Sequence, residues 1–149
     1  MELVIFVGLQ GAGKSTFYKE RFFLTHVRIN LDMLKTRHRE KRLVQVCVET
    51  GQSFVVDNTN PSRAEREVYI QAAKNAGFRV AGYYFQSKVE DCKRRNEQRP
   101  AAQQVPLRGI LGTAGRIEIP KRDEGFDDLF YVRIDEAGGF VIEGWNDEV

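Results

Sequence analysis

Apolar and polar positions in this chain come in blocks that switch between two periods. Leu3–Val7 is an unbroken apolar run, the pattern of a strand buried on both faces. Gly8–Gly13 follows as a glycine-rich turn, and Lys14–Phe23 predicts a helix. Val27–Ile29 predicts a short strand, and Arg39–Thr50 a helix stopped by Gly51. Ser53–Asp57 reads as a second buried strand. Pro61–Asn75 reads as a helix, with Asn60 at its N-cap, Pro61 at its first position and Gly77 beyond its end. Phe78–Phe85 is a third clear strand, and Lys88–Gln98 a helix that Pro100 keeps from running on. Pro106–Ile117 predicts a weaker helix broken up by Gly109, Gly112 and Gly115. Leu129–Ile134 is a further strand, and Phe140–Ile142 a short edge strand across Gly138-Gly139.

Strands alternating with helices of this length predict an α/β fold: a parallel sheet with helices on both faces, in three layers. The chain reads as one domain over residues 1–149. In such a sheet, ligands gather beyond the carboxyl ends of the strands. Gly8, Asp32, Asp57 and the Gln86-Ser87 turn all fall there.

Composition removes several classes. With 149 residues, 42% hydrophobic and 30% charged, the chain is an ordinary globular one rather than a disordered or collagen-like one. Its longest apolar run is too short to cross a bilayer. Met1-Glu2 leads directly into the first strand without a basic n-region, so no secretory signal is expected. Cys47 and Cys92 are too few for a disulfide framework or a structural zinc site, which leaves two free thiols and a cytoplasmic setting. The net charge of +2 hides an asymmetry. Residues 1–122 hold 22 basic and 12 acidic residues, a charge of +10; residues 123–149 hold one and nine, a charge of −8. The basic body favours an anionic partner, with its charge densest around residues 35–42 and 93–99.

The chemistry enters at Gly8-Leu9-Gln10-Gly11-Ala12-Gly13-Lys14-Ser15, which matches the phosphate-loop pattern G-x-x-x-x-G-K-[ST] between a strand and a helix. Backbone N–H groups there, together with the helix N-terminus, point at phosphate oxygens. Gly8, Gly11, Ala12, Gly13, Lys14, Ser15 and the following Thr16 are the expected ATP-binding residues, with Lys14 reaching the β- and γ-phosphates and Ser15 holding Mg²⁺. No Asn-Lys-x-Asp occurs, and the one Asp-x-x-Gly match, at Asp135, lies past the sheet core, which argues against a GTPase. A motor or AAA-type ATPase is expected to be longer and to carry an acidic run on its metal strand. A small phosphotransferase remains.

Three further segments bear on the acceptor. Asp32 stands at a strand end where a carboxylate can take a hydroxyl proton. Asp57 stands where such folds keep a carboxylate near the metal or its waters, and Asn58 and Asn60 are amides able to orient phosphate, ribose or base. Arg95 and Arg99, at i and i+4, share a helix face and suit a lid over residues 95–107 that neutralises the transferred phosphoryl group. Phe17 and Tyr18 read as core rather than as base-stacking platforms. Trp145 either seals the sheet edge or docks a partner.

Together, Gly8–Ser15, Asp32, Asp57-Asn58-Thr59-Asn60-Pro61, Arg95-Asn96-x-x-Arg99 and Glu124-Gly125-Phe126-Asp127 resemble the phosphate-loop polynucleotide 5′-kinases and the small bacterial ATP-binding kinases similar to them. The resemblance covers about residues 1–135. It implies ATP and Mg²⁺ as cofactors and a 5′-hydroxyl of DNA or RNA as acceptor. It also implies Asp32 as general base and Arg95 and Arg99 as lid arginines. One departure matters. That family carries, three residues after the base, an arginine held by the Asp of Asp-Asn-Thr-Asn, which grips the acceptor's 3′ phosphate. Here the position is Lys35, which keeps the charge but loses the bidentate fork; Arg37 is the alternative. A small-molecule kinase for a sugar, nucleoside or antibiotic therefore stays open, as does a non-catalytic nucleotide-binding module.

Overall fold

The computed structural model describes residues 1–147. Its sheet has six strands: β1 (Glu2–Val7), β2 (Val27–Ile29), β3 (Phe54–Val56), β4 (Arg79–Phe85), β5 (Asp128–Ile134) and β6 (Phe140–Gly144). They lie in the order β2-β3-β1-β4-β5-β6. All neighbours are parallel except β5 and β6, which form an antiparallel edge. The most continuously apolar strand, β1, is central, as a strand buried on both faces must be.

The helices are α1 (Lys14–Arg21), α2 (Leu31–Leu34), α3 (Arg37–Thr50), α4 (Arg63–Asn75), α5 (Val89–Glu97) and α6 (Leu107–Arg116). Alternation along β1 sorts them into two layers. Leu3, Ile5 and Val7 pack against α3 and α4 through Cys47, Tyr69, Ile70 and Ala73. Val4 and Phe6 pack on the opposite face against Phe17, Tyr18 and Phe22 of α1 and its end, Cys92 of α5 and Ile110 of α6. Each of these fully buried large side chains stabilises the fold by about 1.5–3 kcal/mol relative to an exposed one. Phe17 and Tyr18 are core, as expected. Trp145 lies edge-on to Tyr84, their ring centres 6.2 Å apart, and seals the sheet's end.

Local differences from the sequence expectation have local causes. Four-residue α2 is capped by Asn30, whose side chain accepts from the Met33 N–H; so short a turn leaves no hydrophobic period to detect. Helix α4 starts at Arg63 rather than Pro61. Its cap is Ser62, in a reciprocal box with Glu65, which satisfies two end donors that Asn60 cannot. The glycines of α6 do not break it, because Ile110 and Thr113 on its inner face are buried. Of the acidic segment 123–149, residues 148 and 149 lie outside the described residues. Within it, Phe126, Leu129 and Val132 are buried, and so is the side chain of Glu124, 3% exposed and paired with the fully buried Arg66 at 2.8 Å. Arg66 also donates to the carbonyls of Asn60 and Pro61, so this pair fixes the loop after β3.

Candidate active site

The phosphate loop is tied down at several points. The Gly8 N–H donates to Thr59 O at 3.1 Å, which joins the loop to the end of β3. The Leu9 N–H donates to Ser87 Oγ at 3.1 Å, which joins it to the turn after β4. Gly11 has φ +83, and a Cβ there would collide with the backbone carbonyl of Cys92, so only glycine fits. Gly13, with φ +96, caps α1 without any side-chain hydrogen bond, and Ala12 is buried beneath it. The first N–H groups of α1 thus have no side-chain cap, which makes an anion cradle. Thr16, the next residue along, is exposed.

Lys14 lies inside this cradle. Its Nζ donates to Gly8 O at 2.8 Å and Leu9 O at 2.7 Å. Burial pulls its pKa from 10.5 down to about 8, with Asp57 pulling the other way. An ammonium held by its own loop's carbonyls is poised to exchange them for phosphate oxygens.

Ser15 and Asp57 form the corner beside the cradle. Ser15 Oγ donates to Asp57 Oδ2 at 3.0 Å. The Asp57 side chain is 1% exposed. A hydroxyl and a carboxylate are hard oxygen donors that suit Mg²⁺, an ion that keeps waters and binds with few protein ligands. Among the described residues, no group of three or more His, Cys, Asp or Glu is arranged to hold a metal. Arg28 enters this corner without any signal in the sequence. Its Nε donates to Asp57 Oδ2 at 2.8 Å and its Nη2 to Ser15 Oγ at 2.9 Å. Its guanidinium lies over the Tyr18 ring, 6.0 Å from the centre.

A cavity of about 970 Å³ opens from this corner between α3 and α4. Lys14, Ser15, Asp32, Asp57, Asn58, Asn60 and Arg99 all line it, so one space brings together half of the expected site residues. Asp32 is exposed in the first turn of α2. Arg95 Nη1 donates to Gly11 O at 3.2 Å, so the α5 arginine touches the loop directly. Arg99 lies past the end of α5, so the two arginines do not share its face; between them, buried Asn96 donates to Val105 O at 2.7 Å and accepts from the Val105 N–H at 2.9 Å, which closes residues 96–105 into a loop.

Two expectations need correction. Asn60 is not free to orient a ligand. It sits at φ +43, and its Nδ2 donates to the carbonyls of Phe6 and Val56, which stitches the loop to β1 and β3. Lys35 is exposed at φ +74, where it closes α2, and Asp57 pairs with Arg28 instead. Arg37, the alternative, lines the same cavity as Asp32, and its Nη1 donates to Glu40 and Tyr69. The centre that sequence reasoning missed, on the α3–α4 side of the cavity, is Glu40, 4% exposed. It accepts from Arg37 at 2.9 Å, from Asn58 Nδ2 at 3.0 Å and from the Tyr69 hydroxyl at 2.6 Å. Burial and this carboxylate push the Tyr69 phenol well above its usual pKa. Asn58 Oδ1 in turn accepts from the Leu31 N–H, so the network positions the turn that carries Asp32.

A family model described as the AAA domain matches residues 3–118. The chain belongs to this family. The AAA-domain description corrects the argument that set such ATPases aside on length and on the lack of an acidic run. A single buried carboxylate, Asp57, stands at the end of β3 in this AAA domain. The domain is similar to the bifunctional polynucleotide phosphatase/kinase of Schizosaccharomyces pombe, at 27% identity over 132 residues, 86% of this chain and 32% of the relative. It is also similar to the putative bifunctional polynucleotide phosphatase/kinase of Acanthamoeba polyphaga mimivirus, again at 27% identity, over 86% of this chain and 32% of the relative. The AAA domain thus spans about a third of the length of these curated relatives. Among solved structures, a gluconokinase from Sinorhizobium meliloti shares its fold, with a TM-score of 0.64 and 15% identity over 89% of this chain and 82% of the gluconokinase. Among the described residues, no helix is long and apolar enough to cross a membrane.

Proposed function

We propose that the chain is an ATP-dependent kinase that transfers the γ-phosphate of ATP to a 5′-hydroxyl of DNA or RNA. The observation that carries this reading is the shared cavity, in which Asp32 and Arg99 face the same space as Lys14 and Ser15. Asp32 takes the proton from the acceptor hydroxyl as its oxygen bonds to the γ-phosphorus, and the bond from that phosphorus to the β–γ bridging oxygen breaks to release ADP. Lys14, Arg95 and Arg99 neutralise the phosphoryl oxygens. Ser15 would hold Mg²⁺, with Asp57 behind it, and the ion would screen charge on the β- and γ-phosphates. The relatives' names support nucleic acid as acceptor, as do the basic segments at 35–42 and 93–99. A cytoplasmic setting fits the two free, buried cysteines.

The structure also gives a reason to keep a small acceptor as the second reading. The pair between Asp57 and Arg28 leaves Lys35 without the carboxylate that would aim it at an acceptor phosphate. The test is to incubate the protein with Mg²⁺ and γ-labelled ATP on 5′-hydroxyl DNA and RNA oligonucleotides, beside Asp32→Ala and Lys14→Ala. Label transfer lost in both variants is the expected result. Transfer that survives Asp32→Ala would remove the base assignment. No transfer to any oligonucleotide, with ATP binding intact, would move the acceptor to a small molecule.

A further inference from the structure

Arg28 sits on an edge strand, in an otherwise apolar three-residue segment. Val27 and Ile29 face the α3–α4 layer, so alternation turns Arg28 to the α1 side. Asp57 lies just past β3. Val55, the register partner of Arg28, is two residues before it, so both side chains emerge on the same face. The Tyr18 ring supports the guanidinium from beneath. The outcome is specific: one cation donates both to Ser15 Oγ, the oxygen that the phosphate-loop reading gives to the divalent cation, and to Asp57 Oδ2, the carboxylate behind it.

We infer that Arg28 and the divalent cation compete for Ser15 Oγ and Asp57 Oδ2, so that Arg28 sets how strongly nucleotide binding depends on metal. This rests on the reading of Gly8–Ser15 as a nucleotide site. The physical argument is exclusion. A guanidinium hydrogen-bonded to Ser15 Oγ stands within a few ångströms of a metal on the same oxygen, and two cations that close repel strongly in a corner shielded from water. The carboxylate that attracts either of them is 1% exposed, so it must keep one of them. Arg28 therefore gives up Ser15 when the metal arrives, and the free energy of breaking that contact is subtracted from metal binding. Arg28 acts here as a positioning residue, through Ser15 and Asp57 rather than on the acceptor.

The experiment is calorimetric titration of ADP in excess Mg²⁺ and in excess EDTA, with the wild type and Arg28→Gln. The expected result is that the ratio of the two dissociation constants, EDTA over Mg²⁺, is about tenfold larger in Arg28→Gln, equivalent to ~1.4 kcal/mol of added metal dependence. A purely structural arginine would weaken ADP equally in both buffers and leave the ratio unchanged, and that result would overturn the inference. Arg28→Gln leaves Asp57 without its cation, so the fold needs an independent check. The wild type supplies one through the Nε–H signal of Arg28 in ¹⁵N-arginine-labelled protein, assigned by its loss in Arg28→Lys. Mg²⁺ with ADP is expected to move that signal, while ADP in EDTA leaves the Asp57-bonded signal in place. A signal that behaves identically in the two conditions would overturn the competition. No ADP binding by the wild type in either buffer would instead overturn the nucleotide-site reading and the inference with it.

Discussion

The phosphate loop and the acceptor cavity are built on different plans. The loop is held chiefly through its own backbone: the Gly8 N–H is tied to Thr59, the Leu9 N–H to Ser87, Gly11 is wedged on Cys92, and the Lys14 ammonium is held by two loop carbonyls. Its geometry comes from the backbone, which any sequence with the right glycines adopts. The acceptor side is open and is organised by side chains from distant parts of the chain. Glu40 of α3, Asn58 after β3 and Tyr69 of α4 meet only in the folded state. A backbone-built site keeps its ligand class across divergent sequences, whereas a side-chain-built one changes its ligand with a few substitutions. This is why the nucleotide half of the chemistry is better determined than the acceptor half.

The largest expected effect separates the halves. Asp32→Ala should lower kcat by about 10²–10⁴, the range of a lost general base, while leaving ADP affinity within about twofold. Lys14→Ala should weaken both steps. Single-turnover phosphoryl transfer together with ADP calorimetry reads the two. If Asp32→Ala weakened ADP as much as Lys14→Ala does, the two regions would not be separable.

The next effect concerns the hinge between them. Arg66 and Glu124 are a fully desolvated pair that holds the Asn60-Pro61 loop. Removing one partner, as in Glu124→Ala, should cost about 3–5 kcal/mol, because the other charge stays buried. Urea denaturation measures it. A loss below ~1 kcal/mol would mean the loop is held by Asn60 alone.

A smaller effect should sharpen the acceptor side. Glu40→Gln keeps the shape but weakens the bonds from Arg37 and Asn58, at a cost of about 1–3 kcal/mol. Because Asn58 positions the turn bearing Asp32, the change should appear in the acceptor's KM and in kcat, and not in ADP affinity. An ADP affinity that fell in step would connect Glu40 to the wrong region.

The same contrast governs what was legible in the chain before folding. Strand and helix positions, the layered parallel sheet and the phosphate loop follow from continuous apolar runs, 3.6-residue periods and local glycines, and these are signals within a dozen residues of one another. The residues that escaped notice act at long range. Arg28 is an arginine in a strand too short to show a pattern, and its partner is 29 residues away. Glu40 sits inside the basic run 35–42, where charge suggests a solvated face, yet folding buries it and ties the exposed Arg37 to it. Asn60 misleads for the opposite reason. It looks like a cap or a ligand, but a left-handed backbone carries its amide into the sheet. Composition around a residue does not reveal which of its neighbours in space will claim its hydrogen bonds.

The smallest predicted effect is a proton count, and it tests the loop's half of the comparison without any mutation. Lys14 titrates near 8 because burial disfavours its charge, whereas in the unfolded chain it titrates near 10.5. Bringing phosphates to Nζ favours the ammonium and moves its pKa back up. Between about pH 8 and 10.5 the unliganded protein has released this proton and the complex holds it, so ADP binding should take up as much as one proton. Below about pH 7 Lys14 is protonated on both sides, and the uptake should vanish. The sign for folding follows from the same shift. The native state carries the cost of a buried ammonium below pH 8 and is relieved of it as pH rises towards 10.5, because there the unfolded chain binds the extra proton. The stability gap between wild type and Lys14→Met should therefore change across that window in favour of the wild type. ADP titrations in buffers of differing ionisation enthalpy at pH 6.5 and 8.5 give the proton count directly. Equal uptake at both values would assign the proton to some group other than Lys14, and the loop would then not be holding its lysine in the poised state that its buried carbonyl contacts imply.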